Sequence, residues 1–294
     1  MLNHLDIIIN PGSGKEEPIL SWLAKALDPS PVTWKAHVIN TIGEAATLAK
    51  DLAGKASAVA AYGGDGTVME VARGLYKTNT PLAIIPGGTA NVMAKELSIP
   101  VDTQAAIALL AGGDYRILPI DMALVNDAPF LIRINMGIFA DMVTEASTEL
   151  KDRWGQWAYG ITALQTLQKA TPVSYGLEVD GETFTQDAVA VTIMNAGNIG
   201  RQGYSMLPGI SVTDGLLDVV MLDDADIFTL LKATTSTALQ TESKVLRHWR
   251  GKEIRLWTEE KQTYIRDDET DEARLWHVKV APHCLNVIVP HEQP

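Results

Sequence analysis

Three glycine-rich turns in the first third of the chain constrain its fold more than any other feature. Each turn follows a short apolar run typical of a buried strand, and helical spacing of apolar residues follows the turn. The turns read Asn10-Pro11-Gly12-Ser13-Gly14 after residues 5–9, Gly63-Gly64-Asp65-Gly66-Thr67 after residues 56–62, and Pro86-Gly87-Gly88-Thr89-Ala90-Asn91 after residues 82–85. Strand, turn and helix repeated in this order predict a parallel α/β sheet. Because ligands of such sheets collect at the carboxyl ends of the strands, all three turns are expected at one ligand-binding edge.

The pattern changes after about residue 121, where short strand-like runs replace the alternation of strands and helices. These runs cover residues 130–135, 175–179, 188–194, 216–222, 253–257, 263–265 and 277–280. Helical stretches near residues 154–168 and 227–237 interrupt them. This profile predicts an α/β domain over residues 1–121 and a mostly antiparallel β domain over 122–284. The last apolar run, 285–289, fits either domain, so residues 285–294 are candidates to complete the first one.

Composition excludes several classes of protein. The formal net charge of −12 disfavours nucleic-acid binding, whose affinity comes mainly from neutralising phosphates. A single cysteine, Cys284, rules out an internal disulfide and a cysteine-based zinc site. No apolar run reaches the ~18–20 residues that span a bilayer, and the N-terminus does not resemble a signal peptide. We therefore expect a soluble cytoplasmic protein that meets lipid only at a surface.

The turn at residues 63–67 has the composition of a phosphate-binding loop. Three glycines in four positions let the backbone approach a ligand closely, and the following helix directs free N–H groups at an anion. A carboxylate inside such a turn is costly unless a cation neutralises it, so Asp65 suggests a nucleotide bound with Mg²⁺. A plain turn that needed glycine explains each motif singly about as well, whereas the three together favour phosphate.

Several other catalytic signatures are missing from the sequence. Lys15 is followed by Glu16 and no glycine stands at the required upstream position, so the Walker A pattern fails. The dinucleotide fingerprint fails because Glu17 stands where its last glycine should be. None of the six histidines forms the zinc-protease pair, and no nucleophile elbow occurs.

The three turns, with Glu70, resemble the diacylglycerol kinase catalytic-domain family, and most closely its bacterial YegS-like branch of soluble lipid kinases. The resemblance extends through Asn195-Ala196-Gly197, with Gly200 and Gly203, to the segment 207–218, which is similar to the family's metal loop. It implies a nucleotide-binding α/β domain like that of NAD kinases and diacylglycerol kinases, followed by a β-sandwich domain. It also implies that ATP lies between the domains and that its γ-phosphate is transferred to a lipid hydroxyl with Mg²⁺.

The resemblance implies a nucleotide-binding site at the ends of three strands and in one neighbouring loop. The residues that it implies for ATP binding are Asn10, Pro11, Gly12, Ser13, Gly14, Thr41, Gly63, Gly64, Asp65, Gly66, Thr67, Val68, Met69, Glu70, Gly88, Thr89 and Asn91. Their glycine N–H groups and threonine and serine hydroxyls suit a triphosphate. Asp65 and Asp121 would share a water-linked Mg²⁺ network, which the family often completes with an aspartate where this chain has Val92.

Glu269 is the implied general base, which accepts the proton of the lipid hydroxyl. The family's Asp-Gly-Glu motif aligns best with Asp267-Asp268-Glu269, so Asp268 stands here in place of a glycine. Asp180-Gly181-Glu182 keeps the glycine, but it lies where the family has a structural hairpin, and Asp-Gly is a common hairpin turn. We therefore interpret that second motif as a surface turn.

The resemblance also implies a second, structural cation site at Ser211, Asp214 and Leu216. The ion would be Mg²⁺ or Ca²⁺, and Leu216 would bind it through its backbone carbonyl oxygen. Spacing alone favours a simple Asp214-Gly215 turn at this position.

The basic and aromatic segment 151–160, with Trp154 and Trp157, is a candidate lipid entrance. An amphipathic helix packed on the β domain explains the same segment equally well.

The sequence leaves the acceptor and the oligomeric state open. Diacylglycerol, phosphatidylglycerol and sphingoid bases all offer a suitable hydroxyl, and a homodimer is the oligomer that we consider first. An enzyme that phosphorylates NAD shares the turn at 63–67 and is the second hypothesis. A non-catalytic nucleotide or lipid sensor is the third, because Val92 and Asp268 depart from the family pattern.

Overall fold

The structure is a computed structural model that describes residues 2–12, 17–140, 171–199, 205–223 and 246–291. Several sequence-based expectations fall outside these residues. They are Ser13 and Gly14 of the first turn, the candidate lipid entrance at 151–160, the helical stretches at 154–168 and 227–237, and the glycines Gly200 and Gly203.

The N-terminal part is the predicted α/β unit. Its elements are β1 (His4–Ile9), α1 (Ile19–Leu27), β2 (Thr33–Val38), α2 (Glu44–Leu52), β3 (Ala58–Gly63), α3 (Asp65–Gly74), β4 (Leu82–Pro86), α4 (Val92–Glu96) and α5 (Thr103–Gly112). The four strands are parallel and lie in the order β4-β3-β1-β2. This order makes β1, β3 and β4 neighbours, so the three turns that follow them share one edge.

Helices cover both faces of this parallel sheet. Alternate residues of β3 face opposite ways: Val59 and Ala61 pack in the core on the side of α2, α3 and α4, and Ala58 and Ala60 pack on the side of α1 and α5. All six β3 residues are buried. Burial of both faces is why the strand reads as a continuous run of small apolar residues with no alternation.

The C-terminal part is mostly antiparallel. Its strands are β5 (Tyr115–Val125), β6 (Ala128–Phe130), β7 (Arg133–Gly137), β8 (Val173–Val179), β9 (Glu182–Ala188), β10 (Ala190–Met194), β11 (Leu217–Leu222), β12 (Leu246–Gly251), β13 (Glu253–Arg266) and β14 (Glu269–Pro290). They enclose a second core that centres on the fully buried Trp276, Tyr175 and Phe130. The predicted fold class, an α/β unit followed by an antiparallel β unit, is confirmed.

Strand β14 joins the two parts. Its first half pairs with β13, and it pairs along much of its length with β5. Near its end, Val287 pairs in parallel with Leu82 of β4. The described strands consequently form one continuous sheet, and the apolar run 285–289 lies against the α/β unit as the end of that long strand.

Two strand predictions were wrong in their extent. Residues 130–135 were expected to form one strand, but the chain breaks between β6 and β7, because Leu131 and Ile132 donate their N–H groups to the Asp267 carboxylate. Residues 253–257 and 263–265 were expected to be separate strands, and both belong to β13, which is irregular between Trp257 and Gln262. Local pattern does not show either effect, since both depend on a partner strand.

The sequence analysis also missed or shortened some elements. Runs 277–280 and 285–289 are parts of the 22-residue strand β14, whose register shifts between Ala281 and Leu285. Helix α5 and the polar strands β9 and β12 were not predicted. Within the described residues, no helix combines the length and apolarity that a bilayer crossing requires.

Candidate functional site

The first two glycine turns are joined by hydrogen bonds. The backbone N–H of Asn10 donates to the carbonyl oxygen of Tyr62 (3.1 Å). The Asn10 side-chain amide donates to the Thr67 hydroxyl (3.0 Å), and its carbonyl oxygen accepts from the N–H of Gly12 (3.0 Å). Asn10 therefore fixes the first turn against the first helical turn of α3, as the sequence analysis predicts for strand ends at one edge.

The second and third turns touch each other directly. The N–H of Gly87 donates to the carbonyl oxygen of Gly63 (2.8 Å). A Cβ placed on Gly88 would lie 2.6 Å from the Cα of Gly64, closer than side-chain carbons come to backbone. Glycine at 88 is thus required by the approach of the two turns, and the predicted convergence is confirmed for the described residues of all three.

The N-terminus of α3 opens into this convergence. Its N-cap residue is Gly64, which has no side chain with which to cap the first-turn N–H groups. By contrast, α5 is capped by Asp102, whose carboxylate accepts from the N–H of Ala105 (2.8 Å). Uncapped N–H groups at the positive end of a helix favour an anion such as phosphate.

Asp65 lies in the first turn of α3 and reaches the start of α4. Its carboxylate accepts from the backbone N–H of Val92 (2.6 Å), so position 92 meets Asp65 through its backbone. Burial raises the pKa of Asp65, and the α4 N–H groups with the charges of Lys95 and Arg133 oppose that rise. A carboxylate in this position gains from a cation, which is the environment that Mg²⁺ bound to phosphates supplies.

Glu70 and Thr41 have partners that were not expected from the sequence. The Glu70 carboxylate accepts from the N–H groups of Gly43 (3.1 Å) and Ala45 (3.2 Å), at the N-terminus of α2. Thr41 donates through its N–H and its hydroxyl to Glu44 (both 3.2 Å). Glu70 thus links α3 to the loop before α2, and direct contact of Glu70 or Thr41 with a nucleotide stays a prediction.

The predicted base lies at a tight hairpin turn. Asp267 and Asp268 form the two-residue connection between β13 and β14, with Arg266 paired to Glu269. The positive φ of this turn belongs to Asp267 (55°), while Asp268, the residue in place of the family glycine, does not have one. The substitution at 268 therefore introduces no left-handed strain, since aspartate at 267 tolerates that conformation.

Asp267 fixes the hairpin turn to the β domain. Its fully buried carboxylate accepts from the N–H groups of Leu131 (2.9 Å), Ile132 (2.8 Å) and Arg133 (3.1 Å). Burial raises the pKa of Asp267, and these three bonds together with Arg73 counter the rise. The turn is thereby held in one place relative to the strands that support it.

The same turn reaches the α/β unit through Arg73, in the last turn of α3. The Arg73 guanidinium forms an ion pair with Glu269 and lies 3.4 Å from Asp268 and 3.6 Å from Asp267. Arg266 forms a second ion pair with Glu269. A Cβ on Gly66 would lie 2.8 Å from an Asp268 oxygen, so the turn also contacts the glycine motif.

The structure thus brings the predicted base beside the helix that begins in the phosphate-type turn. Sequence reasoning missed Arg73 and Arg133, although the run of three acidic residues at 267–269 could have signalled that a nearby cation was needed. Arg133 contributes positive charge near Asp65, Glu96 and Asp267, and it donates to the carbonyl oxygen of Asn198 (2.5 Å).

Asp121 has different neighbours from those expected. Its fully buried carboxylate accepts from the N–H groups of His283 (2.8 Å) and Gly215 (2.7 Å), and its own N–H donates to Val212 (2.6 Å). No hydrogen bond among the described residues joins it to Asp65. Asp121 therefore ties the loop before β11 to the irregular part of β14, and a shared metal network with Asp65 stays a prediction.

The other predicted residues lie in the β8–β9 hairpin turn and in the loop before β11. Asp180 and Gly181, with φ of 48° and 92°, form the connection between β8 and β9, so the interpretation of this motif as a hairpin turn is confirmed. In the loop before β11, Asp214 forms an ion pair with Arg250, and the Ser211 hydroxyl lies 3.0 Å from that of Thr213. The carboxylate assigned to a structural cation therefore already has a cationic partner.

Comparison with known families accounts for nearly the whole chain. The model of the diacylglycerol kinase catalytic domain matches residues 4–125. The model of the YegS C-terminal NAD kinase beta sandwich-like domain matches residues 133–289. The two matches meet close to the change of pattern that the sequence analysis places near residue 121.

Individual relatives agree with these matches. An uncharacterized protein of Synechocystis is 34% identical over 80% of this chain, and the match spans 55% of that protein, little more than half its length. The diacylglycerol kinase of Bacillus subtilis is 30% identical over 78% of this chain and 77% of its own length. A probable lipid kinase YegS-like of Klebsiella pneumoniae is 29% identical over 98% of this chain and 96% of its own.

Solved structures show the same fold. A crystal structure of a protein from Bacillus anthracis str. Sterne superposes with a TM-score of 0.85 at 24% identity, covering 99% of this chain and 96% of that one. Another from the same strain, described as a diacylglycerol kinase, gives a TM-score of 0.77 at 22% identity, covering 99% and 98%. The arrangement of an α/β unit and an antiparallel unit is thus shared across these chains.

Proposed function

Because this chain belongs to the diacylglycerol kinase catalytic-domain family, we propose that it is a lipid kinase that transfers the γ-phosphate of ATP to a lipid hydroxyl. One observation carries the proposal within this chain. The glycine turns meet at one sheet edge, and the hairpin turn that bears Glu269 contacts the helix that starts there. The candidate base therefore contacts the helix that starts at the glycine turns, and its neighbour Asp268 lies beside Gly66 of the second turn.

The nucleotide phosphates are assigned to the glycine turns. Gly64 and Gly88 let the second and third turns approach each other closely, and the Asn10 and Thr67 side chains supply polar groups between the first turn and α3. The N-terminus of α3, which Gly64 leaves without a side-chain cap, adds a positive electrostatic end. These residues fit a polyphosphate because they present N–H donors with few side-chain carbons in the way.

Mg²⁺ fits the same edge, with Asp65 as the residue that would reach it directly or through water. The half-buried Asp65 carboxylate lies in the first turn of α3, so a phosphate placed there without a cation would be repelled. When bound, ATP supplies the phosphoryl group and Mg²⁺ neutralises its charge. The protein's contribution to phosphoryl transfer is then mainly positioning.

Glu269 is proposed to accept the proton of the lipid hydroxyl. Its side chain is 45% exposed, so an acceptor can reach it, yet both of its oxygens have guanidinium partners, Arg73 and Arg266. Two ion pairs hold the carboxylate in a single orientation. A base held in this way loses less conformational entropy when the hydroxyl binds.

The acceptor is proposed to be a lipid with a hydroxyl beside alkyl chains, such as diacylglycerol, phosphatidylglycerol or a sphingoid base. The name of the Bacillus subtilis relative favours diacylglycerol. Such a substrate resides in a membrane, so the enzyme is proposed to be cytoplasmic and to act at the membrane surface. The lipid is its proposed partner, and a homodimer is the proposed oligomer.

A lipid-panel assay tests the proposal. Purified protein is incubated with Mg²⁺, γ-labelled ATP and, separately, each lipid in mixed micelles or NAD in solution, and label is measured in the organic and aqueous phases. We expect organic-phase label that depends on Mg²⁺. Glu269→Gln should lower kcat by roughly 10²-fold or more, since a general base contributes about that much.

Glu182→Gln is the matched control, because Glu182 follows the second Asp-Gly motif on an exposed hairpin. It should transfer phosphate at the unmodified rate. Unchanged transfer by Glu269→Gln would show that the base is elsewhere. Label on NAD alone would show that the acceptor is a soluble dinucleotide and not a lipid. Nucleotide binding without phosphate transfer would indicate a sensor.

A further inference from the structure

The loop before β11 was expected to hold a structural cation, and its side chains are already engaged with the protein. The Asp214 carboxylate accepts from the N–H of Leu216 (2.9 Å) on one oxygen and from Arg250 on the other. The Ser211 hydroxyl accepts from the N–H of Thr213 (3.3 Å) and lies beside the hydroxyl of that residue. Both side chains with polar oxygens in the expected ligand set thus have protein partners.

Arg250 binds oxygen atoms of the kinds that serve as ligands for a hard cation. It lies on β12, opposite Asp218 of β11. Its Nη2 donates to the carbonyl oxygen of Gly209 (2.8 Å) and to Asp214, and its Nε lies 3.6 Å from Asp218. Carboxylates and main-chain carbonyls are the ligands of Mg²⁺ and Ca²⁺, and here a guanidinium binds them.

Local charge agrees with this arrangement. Asp218 is 2% exposed, so its charge needs a partner, which Arg250 and His248 (2.6 Å) supply. The planar guanidinium offers five N–H donors and stays charged, so it can join several oxygens at once.

We propose that Arg250 takes the place of the structural cation, so that this loop is closed without a metal. The loop residues do not fit the ion that the family resemblance implies, because one Asp214 oxygen accepts from the N–H of Leu216 and the other from the Arg250 guanidinium. The proposal concerns the stability of the fold and does not rest on the proposed kinase activity. Any Mg²⁺ requirement of catalysis then belongs to the nucleotide site alone.

Thermal unfolding of the full chain without nucleotide tests this. The unmodified protein is unfolded after exhaustive treatment with EDTA, and again with added Ca²⁺ or Mg²⁺. We expect the same midpoint in all three conditions and no divalent metal retained in elemental analysis after dialysis. A midpoint that falls by several degrees on chelation, or about one retained metal per chain, overturns the proposal.

Arg250→Met gives the complementary test, since methionine keeps an apolar stem and removes the charge. Its midpoint should fall by several degrees, and Ca²⁺ or Mg²⁺ should restore part of that loss. Adding Asp214→Asn to this variant should abolish the restoration. The control Arg247→Met, on the same strand with an exposed pair to Asp223 (3.5 Å), should change neither the midpoint nor the response to metal.

If Arg250→Met has the same unfolding midpoint as the unmodified protein and added Ca²⁺ or Mg²⁺ does not change it, the guanidinium does not replace a cation in this loop and the proposal fails. If Arg250→Met does not fold, Arg250→Lys replaces it in the same titration. Lysine keeps one charge on a flexible stem, so we expect a smaller fall of the midpoint and a weaker metal response. Failure of the kinase assay leaves all of these outcomes unchanged, because none of them measures phosphate transfer.

Discussion

At the scale of single residues, Gly88 shows how closely two turns must approach to form one site. Its neighbour across the gap is the Cα of Gly64, which is backbone and cannot rotate away from an added methyl group. Gly88→Ala should therefore cost about 1–3 kcal/mol of folding free energy, the usual range for overpacking. Nucleotide affinity should fall by roughly tenfold or more, as measured by calorimetry beside urea unfolding.

Gly112→Ala is the control for this substitution. Gly112 ends α5, and a Cβ there would meet nothing within 4 Å. Alanine at this helical position should leave stability unchanged or raise it by up to about 1 kcal/mol, without an effect on nucleotide. Equal behaviour of the two variants would mean that the turns at 63–67 and 86–91 do not touch.

At the scale of elements, two hairpin turns provide a natural comparison. Asp180 and Asp267 each occupy the first position of a two-residue turn with positive φ, and each carboxylate accepts N–H groups of a neighbouring strand or loop. They differ in environment, because the Asp267 side chain is fully buried whereas Asp180 is exposed. Substituting each aspartate separates what the hydrogen bonds contribute to the free energy of unfolding from what the turn conformation contributes.

Asp267→Asn should lower the free energy of unfolding by roughly 2–4 kcal/mol. Asparagine tolerates positive φ, but its amide group places a donor against buried N–H donors and removes a partner of Arg73. Asp180→Asn should cost less than about 1 kcal/mol, since water replaces the lost acceptor. Urea unfolding measures both, and comparable losses would contradict the buried anchoring of the 267–268 turn.

Elements also show why some strand boundaries could not be read from the chain. The break between β6 and β7 exists because Asp267, more than 130 residues away in sequence, accepts the N–H groups of Leu131 and Ile132. Strand β9 is polar and exposed at most positions, and its strand conformation comes from pairing with β8. Pairing partners of this kind decide strand existence where local propensity is weak.

At the scale of the whole molecule, Arg73 connects the α/β unit to the hairpin turn of the β unit. We predict that Arg73→Met lowers kcat by roughly tenfold or more, because Glu269, the proposed base, loses one of its two fixed partners and misplacement of a catalytic group is costly. The KM for ATP should change little, since Arg73 stands at the opposite end of α3 from the phosphate turn. Steady-state kinetics with each substrate varied gives this separation.

Arg73→Lys keeps the charge and should recover part of the lost kcat, although one ammonium cannot join three carboxylates as the fork of arginine does. Arg247→Met, an exposed position on β12, serves as the control and should leave the kinetics unchanged. If Arg73→Met loses thermal stability but keeps its full kcat, Arg73 is structural and does not position the base.

The sequence by itself determined the order of strands, turns and helices from β1 to α4, the change to a β-rich second part, and the residues of the phosphate-type turns. It could do so because parallel strands buried on both faces, and turns that need glycine, leave strong local patterns. Tertiary structure alone decided that β14 continues through both parts, that Arg73 meets Glu269, that Asp121 binds the loop before β11, and that Arg250 pairs with Asp214. Each of these depends on contacts between residues far apart in the chain, and such contacts leave no periodic trace in a single sequence.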